Sequence, residues 1–407
     1  MTASATSFPE DMIPLNRLIP ERLSMKSVEF EVYICYARRH LGRGRAMDLA
    51  MQKQPLSAII AAGLSPPSRA DKLFPKALLS FAIVVFGAEH HQAAIVDKGY
   101  LFLGGALKQL NQALLDPTCY ARDEVILSVA ALAILECLVP TGTGNHLKHM
   151  LGLEKLLELR DPANFSSWES IELYKSIRHM VLFATLRTGK PSIFARPEWK
   201  SVLRLYCSDD ELQEEELFDV LADCTVLSSE LKVLSSERDP NSPQAKHKRN
   251  DVEQRALALL DQLHNWKEGR NNVERTRVSE VPTCVPSSWP KTYEFSNEAA
   301  AVMLMFYNTT LICVLNILAS LPTSSCLSHE FHQFSARRAA MEICRCVPYY
   351  TRVRSGQEHP HGSPVAHWAI ATAWQVLSDN TSAGEKHMVD LLSIKGKEVT
   401  AKALWQD

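Results

Sequence analysis

Apolar residues recur every three or four positions along most of this chain, and the strict alternation of a half-buried strand is rare. Leu103, Leu107, Leu110 and Leu114 stand four, three and four apart in GYLFLGGALKQLNQALL, which predicts a helix over 99–115. Asp116-Pro117 ends it, because the residue before a proline is pushed out of the α region. Ile126, Ala130, Ala133 and Cys137 form the next stripe and predict a helix over 123–139, with Glu136 beside the apolar positions. Asn145 can cap a helix over 146–159, and Ser167 another over 168–188. Gly189 then supplies the left-handed residue that helix ends favour. Shorter patterns predict helices over 29–41, with Phe30, Ile34 and Ala37 on one face, and over 71–87 behind the turn Ser65-Pro-Pro-Ser68. The acidic run from Asp209 to Glu216 opens a helix reaching Leu234, the sign that the helix dipole favours at that end. Further helices are predicted over 251–266, 297–321, 335–347 and 363–377.

The fold class this implies is all-α: a multi-helix bundle or array whose short Asp-Pro and Gly turns make consecutive helices antiparallel neighbours. Residues 1–69 read as an irregular lead with one short helix, and 70–235 as a compact helical half. Residues 236–250 read as a polar linker and 251–407 as a second helical half with long loops. No period of about 34 or 40 residues is present, which argues against a regular solenoid.

Composition narrows the function. Of 407 residues, 46% are hydrophobic and 22% charged, which is ordinary for a globular chain. Lys and Arg number 44 against 46 Asp and Glu, a net charge of -2, so the basic excess of a phosphate-neutralising protein is missing. Ten cysteines without a disulfide-like framework, and a first segment without an apolar signal core, point to an intracellular, soluble chain. The apolar runs are too short for a membrane partner.

Candidate chemistry is sparse. Lys246-His247-Lys248-Arg249 is a basic cluster of the kind that serves nuclear import or a phosphate contact. His146 and His149 share a helix face at the spacing of a metal pair but have no marked third ligand, so no metal is assigned. Glu358-His-Pro-His361 with His367 is the densest histidine group. Cys344-Arg-Cys346 has the wrong spacing for a zinc knuckle or redox pair and reads as structural. GxxxxGK[ST], GxSxG, HExxH and GxGxxG are all absent, so no catalytic residue and no cofactor site is assigned.

Six blocks carry a resemblance. ALKQLNQALLDP, DEVILSVAALAILECL and HLKHMLGLEKLLELRDPANF, followed by IRHMVLFATLRTGKPSIFARPEW, resemble the middle homology region of fungal zinc-cluster transcription factors. The resemblance returns at ARRAAMEICRCVPYY and SPVAHWAIATAWQVL, so that it spans roughly residues 70–380. It implies a helical regulatory domain in which Leu107, Leu114, Asp116-Pro117, Glu136, His149 with Gly152, Arg187 with Pro191, Trp199 and Pro348-Tyr349 occupy recurring positions. Glu136, His149, Arg187 and Trp199 are then structural polar positions, with His149 or Arg187 the natural partner of a carboxylate set in an apolar stripe. The family's DNA-reading module is a six-cysteine cluster with CxxC arms, and no CxxC occurs in these residues. The expected function is regulation of a fungal metabolic or secondary-metabolite gene cluster, in the nucleus, without direct DNA reading by this chain. It would work through a DNA-binding or other protein partner and a small-molecule effector, with room for a homo-oligomer. The alternative is a helical domain recruited as a small-molecule-binding or catalytic protein, in which case a cytoplasmic location would do.

Overall fold

In the computed structural model the apolar period of the sequence becomes helix upon helix. The structure describes residues 25–41, 55–64, 73–120, 122–160, 162, 168–205, 207–237, 242–270, 278–282, 291–321, 326–355, 363–378, 386–392 and 402–405. Helix α1 (Met25–Leu41) buries Phe30, Ile34 and Ala37 on one face, as their spacing predicts. Helix α2 (Leu56–Leu64) packs beside it on α3 (Leu73–Glu89), which is buried along almost its whole length. The turn Ser65–Ser68, most of the lead and Ser167 lie outside the described residues.

Helix α4 (Ala93–Leu115) starts six residues before the predicted 99 and folds straight back along α3. Its inner face is not the leucine stripe. Gly99, Ala106, Gln109 and Leu110 are buried, Leu103 and Leu107 are half-buried, and Leu114 is exposed. The reason is close approach. A Cβ on Gly99 would stand 2.5 Å from Val84 Cγ2 and 2.9 Å from the Val84 nitrogen, so glycine there lets two backbones meet.

Helices α5 (Asp123–Leu138), α6 (Asn145–Glu158) and α7 (Trp168–Thr188) follow as predicted, α5 being buried on nearly every side. Asn145 is the first helical residue rather than the cap. Gly144, at φ +69°, takes the cap position. A 3-10 turn (Ile193–Ala195) and the short α8 (Pro197–Leu203) lead to α9 (Asp209–Ser235), whose start is held by a capping box between Ser208 and Glu211.

Helix α10 (Pro243–Arg270) departs from the expected linker over 236–250. Proline at its first position needs no partner for a backbone donor, and Ser242 Oγ accepts from the Ala245 nitrogen at 3.1 Å. The polar residues that suggested a linker are the solvent face of its first two turns, while Ala245 is buried. A hairpin of β1 (Val278–Pro282) and β2 (Lys291–Phe295), antiparallel with Val278 opposite Phe295, was not anticipated; the five residues of KTYEF are too few to show an alternation. Helices α11 (Glu298–Ala319), α12 (Cys326–Ser355), α13 (Pro364–Ser378) and α14 (Lys386–Leu391) complete the all-α array.

Two apolar cores share α11. Phe306, Tyr307, Val314 and Ile317 belong to the large core of α1–α10, and Ala301, Met305 and Ile312 to a second core with α12 and α13. Against the expectation that every apolar run is too short to span a membrane, helix α11 is long and apolar enough to cross one, and 67% of its most apolar stretch is buried inside the protein. Trp266 Nε1 donates to the Gln213 carbonyl at 2.9 Å and its ring stacks on Tyr307, which ties α10 to both α9 and α11.

Candidate functional site

Helices α7, α9, α11 and α13 close a ring, each packing on the next and α13 on α7. All four run in the same sense, because α8, α10 and α12 serve as return elements between them. The amino-terminal halves line one cavity: Lys175 and His179 on α7, Glu214 and Phe218 on α9, Val302 and Phe306 on α11, Val365 on α13. The carboxy-terminal halves line another, with Arg187, Lys232, Asn316 and Gln375 among its polar contributors, one from each of the same four helices. Between the two stand the pairs Phe218–Phe306, with centroids 4.6 Å apart, and Phe183–Trp368, stacked at 4.0 Å.

The carboxy-terminal cavity, about 670 Å³, has the size and mixed lining of a small-molecule site. Its apolar side is Phe183, Leu186, Leu231, Ile317 and Trp368. Three cations reach it, Arg187, Lys232 and Arg249, and no carboxylate lines it among the described residues. Lys232 Nζ donates to the Thr188 carbonyl at 2.9 Å, an orphan acceptor at the end of α7. Its stem crosses Gly189, which sits at φ +63° and whose Cβ would come within 2.9 Å of Lys232 Cδ. The left-handed φ is what calls for glycine there, and a Cβ would also make the Lys232 stem move aside. Cys313 also lines the cavity, with its thiol pushed up to about 12 by burial, so it is a packed hydrophobe and not a nucleophile.

The amino-terminal cavity is smaller, about 360 Å³, and its charges are mixed. Lys175, buried there, has Glu172 at 3.7 Å as its one ion-pair partner among the described residues. Beside it Arg178 and Glu215 form a buried two-point ion pair, with the guanidinium 3.6 Å from the Phe218 ring centroid.

The residues singled out from sequence are scattered by the fold. Arg187 and Arg249 come together at the carboxy-terminal cavity. Lys248 pairs with Glu237 at 2.8 Å, Lys246 faces solvent, and His247 lies between α9 and α10 with Lys248, so the basic cluster wraps its helix instead of forming one patch. Glu136 finds its partner in neither Arg187 nor a direct bond to His149: its carboxylate accepts from the Thr141 nitrogen at 3.0 Å and the Thr141 hydroxyl at 2.7 Å. His149 is near enough to feel that charge, yet burial holds its imidazole below the ordinary value. Trp199 is buried edge-on to Tyr174 and Phe194. His146 and His367 are buried, Cys344 and Cys346 sit in the second core, and Glu358–His361 lies outside the described residues. Lys232, Trp368, Asn316 and Gln375 carried no sequence signal, since they meet only when four distant helices close.

A ring of helices around a polar-rimmed cavity defines an all-α domain with room for a small molecule. The comparison with protein families gives the particular one: the family model of the fungal specific transcription factor domain matches residues 49–373, and the chain belongs to that family, one of transcription regulators. No curated protein and no solved structure matches the chain.

Proposed function

We propose that this chain regulates transcription of a fungal metabolic or secondary-metabolite gene cluster, in the nucleus, by binding an effector in the carboxy-terminal cavity and a DNA-binding protein at its surface. The observation that carries the reading is the ring itself. Four helices whose ends meet around a 670 Å³ cavity respond together to an occupant, which is how a bound molecule biases one packing of a domain over another. Arg187, Lys232 and Arg249 give that cavity polar groups for recognition. DNA reading falls to the partner, because these residues contain no CxxC and carry a net charge of -2. The basic cluster Lys246–Arg249 supports nuclear import, with Lys246 and His247 exposed and Lys248 in an exposed ion pair.

A tethering experiment tests the regulatory role. The chain is fused to an unrelated DNA-reading module in a fungal cell and the output of a matched reporter is measured. The reading expects reporter output to change when the chain is tethered. Output equal to that of the reading module alone would contradict it.

A further inference from the structure

Resting on the reading of the carboxy-terminal cavity as an effector site, we propose that its ligand is a small organic anion with a flat apolar body. The anionic end would meet Arg187, flanked by Lys232 and Arg249, and the flat body would lie against Trp368. Four observations converge on this class. The lining holds three cations and no carboxylate among the described residues, so like charges gather where an anion would relieve their repulsion. Arg187 makes no hydrogen bond or ion pair with any described residue, whereas Arg160, Arg178, Arg204, Arg255, Arg345 and Arg352 each hold a carboxylate. A guanidinium is the side chain best shaped to take a carboxylate by two donors at once. Phe183 and Trp368, 26° from coplanar, present a stacked aromatic wall on the apolar side, and Asn316, Thr372 and Gln375 add neutral hydrogen-bonding groups.

The competing account is that basic side chains simply offset the negative ends of α7 and α9. It explains Lys232, which is bonded to the Thr188 carbonyl, and the place of Arg187 in the last turn of α7. It does not call for the aromatic wall of Phe183 and Trp368 beside those cations.

Titration calorimetry on the purified full chain separates these accounts, with 2-naphthoate as the flat anion, 2-naphthamide as its neutral isostere, and Arg187→Gln and Arg187→Lys as variants. The proposal expects saturable naphthoate binding, naphthamide at least tenfold weaker, a loss of about tenfold in Arg187→Gln, and recovery of most of that loss in Arg187→Lys. Equal binding of the two compounds, or naphthoate binding unchanged in Arg187→Gln, would overturn the anion class while leaving an occupied cavity. Binding of neither compound at millimolar concentration would overturn the anion proposal and the effector site together. Unfolding midpoints of both variants, expected to match the parent because Arg187 is exposed, keep a folding defect from being taken for a lost contact.

Discussion

At the scale of single residues, buried charge is the most exacting feature of this protein. Arg178 and Glu215 are each almost wholly withdrawn from solvent and hold one another between α7 and α9. Removing one partner strands the other, so Arg178→Ala should lower the unfolding free energy by about 3–5 kcal/mol, read from urea unfolding. The double replacement Arg178→Met with Glu215→Leu should restore most of that loss, since an apolar pair of similar volume avoids the desolvation; a double variant no better than the single one would assign the pair a net stabilising role. His149 gives a pH dependence. Burial holds its imidazole below the ordinary 6.5, with Glu136 opposing and Lys148 adding a little. The unfolded chain takes that proton from about pH 6.5 downward and the fold resists it to a lower pH. Stability from this group is therefore complete above about pH 6.5 and falls as pH drops below it, and His149→Gln should flatten that fall between about pH 7 and 5. An unchanged slope would put the imidazole in free solvent. The sequence showed that Glu136 needed a partner but not which one, because Thr141, five residues on, reaches it only through the loop that closes after α5.

At the scale of elements, helices were legible wherever their period was local and their ends carried Pro or Gly, as at Asp116-Pro117 and Gly189. What escaped were features set by tertiary contact. The leucine spacing that predicts α4 does not show that Gly99 and Ala106 are the small buried residues that bring it close to α3. Two glycines on this helix test the point. Gly99→Ala should destabilise by about 1–3 kcal/mol through overlap with Val84. Gly104→Ala, with nothing within 4 Å of the added Cβ, should stabilise by about 0.5–1 kcal/mol through helix propensity. Equal effects of the two would remove the close-approach argument. The start of α10 was missed because Lys246 to Asn250 is polar all round one exposed face, which looks the same in a linker and in a surface helix. As a division of the chain, we propose a boundary in the part of 236–250 that precedes α10, whose polar, proline-containing residues offer little apolar area. Limited proteolysis should cut there first and leave two fragments associated through the core that α10 and α11 share with α7 and α9. First cuts inside 100–190 would contradict this boundary.

At the scale of the whole molecule, the fold class and the family could be read from ordered blocks of sequence, and the cavity could not. Its lining comes from α7, α9, α10, α11 and α13, and no window of sequence shows that their ends coincide. The central proposal is that this chain acts on genes without reading DNA itself. A closed structural zinc needs four thiolate or imidazole ligands, and the cysteines Cys224, Cys344 and Cys346 are packed in the cores, so elemental analysis of the purified chain should find no stoichiometric zinc. The most direct test is chromatin cross-linking of the tagged chain in cells, set beside cells depleted of any DNA-binding protein found to copurify with it. The account predicts enrichment at a restricted group of neighbouring promoters, lost when the partner is depleted. Enrichment that persists without any partner, or no enrichment at any promoter, would contradict it.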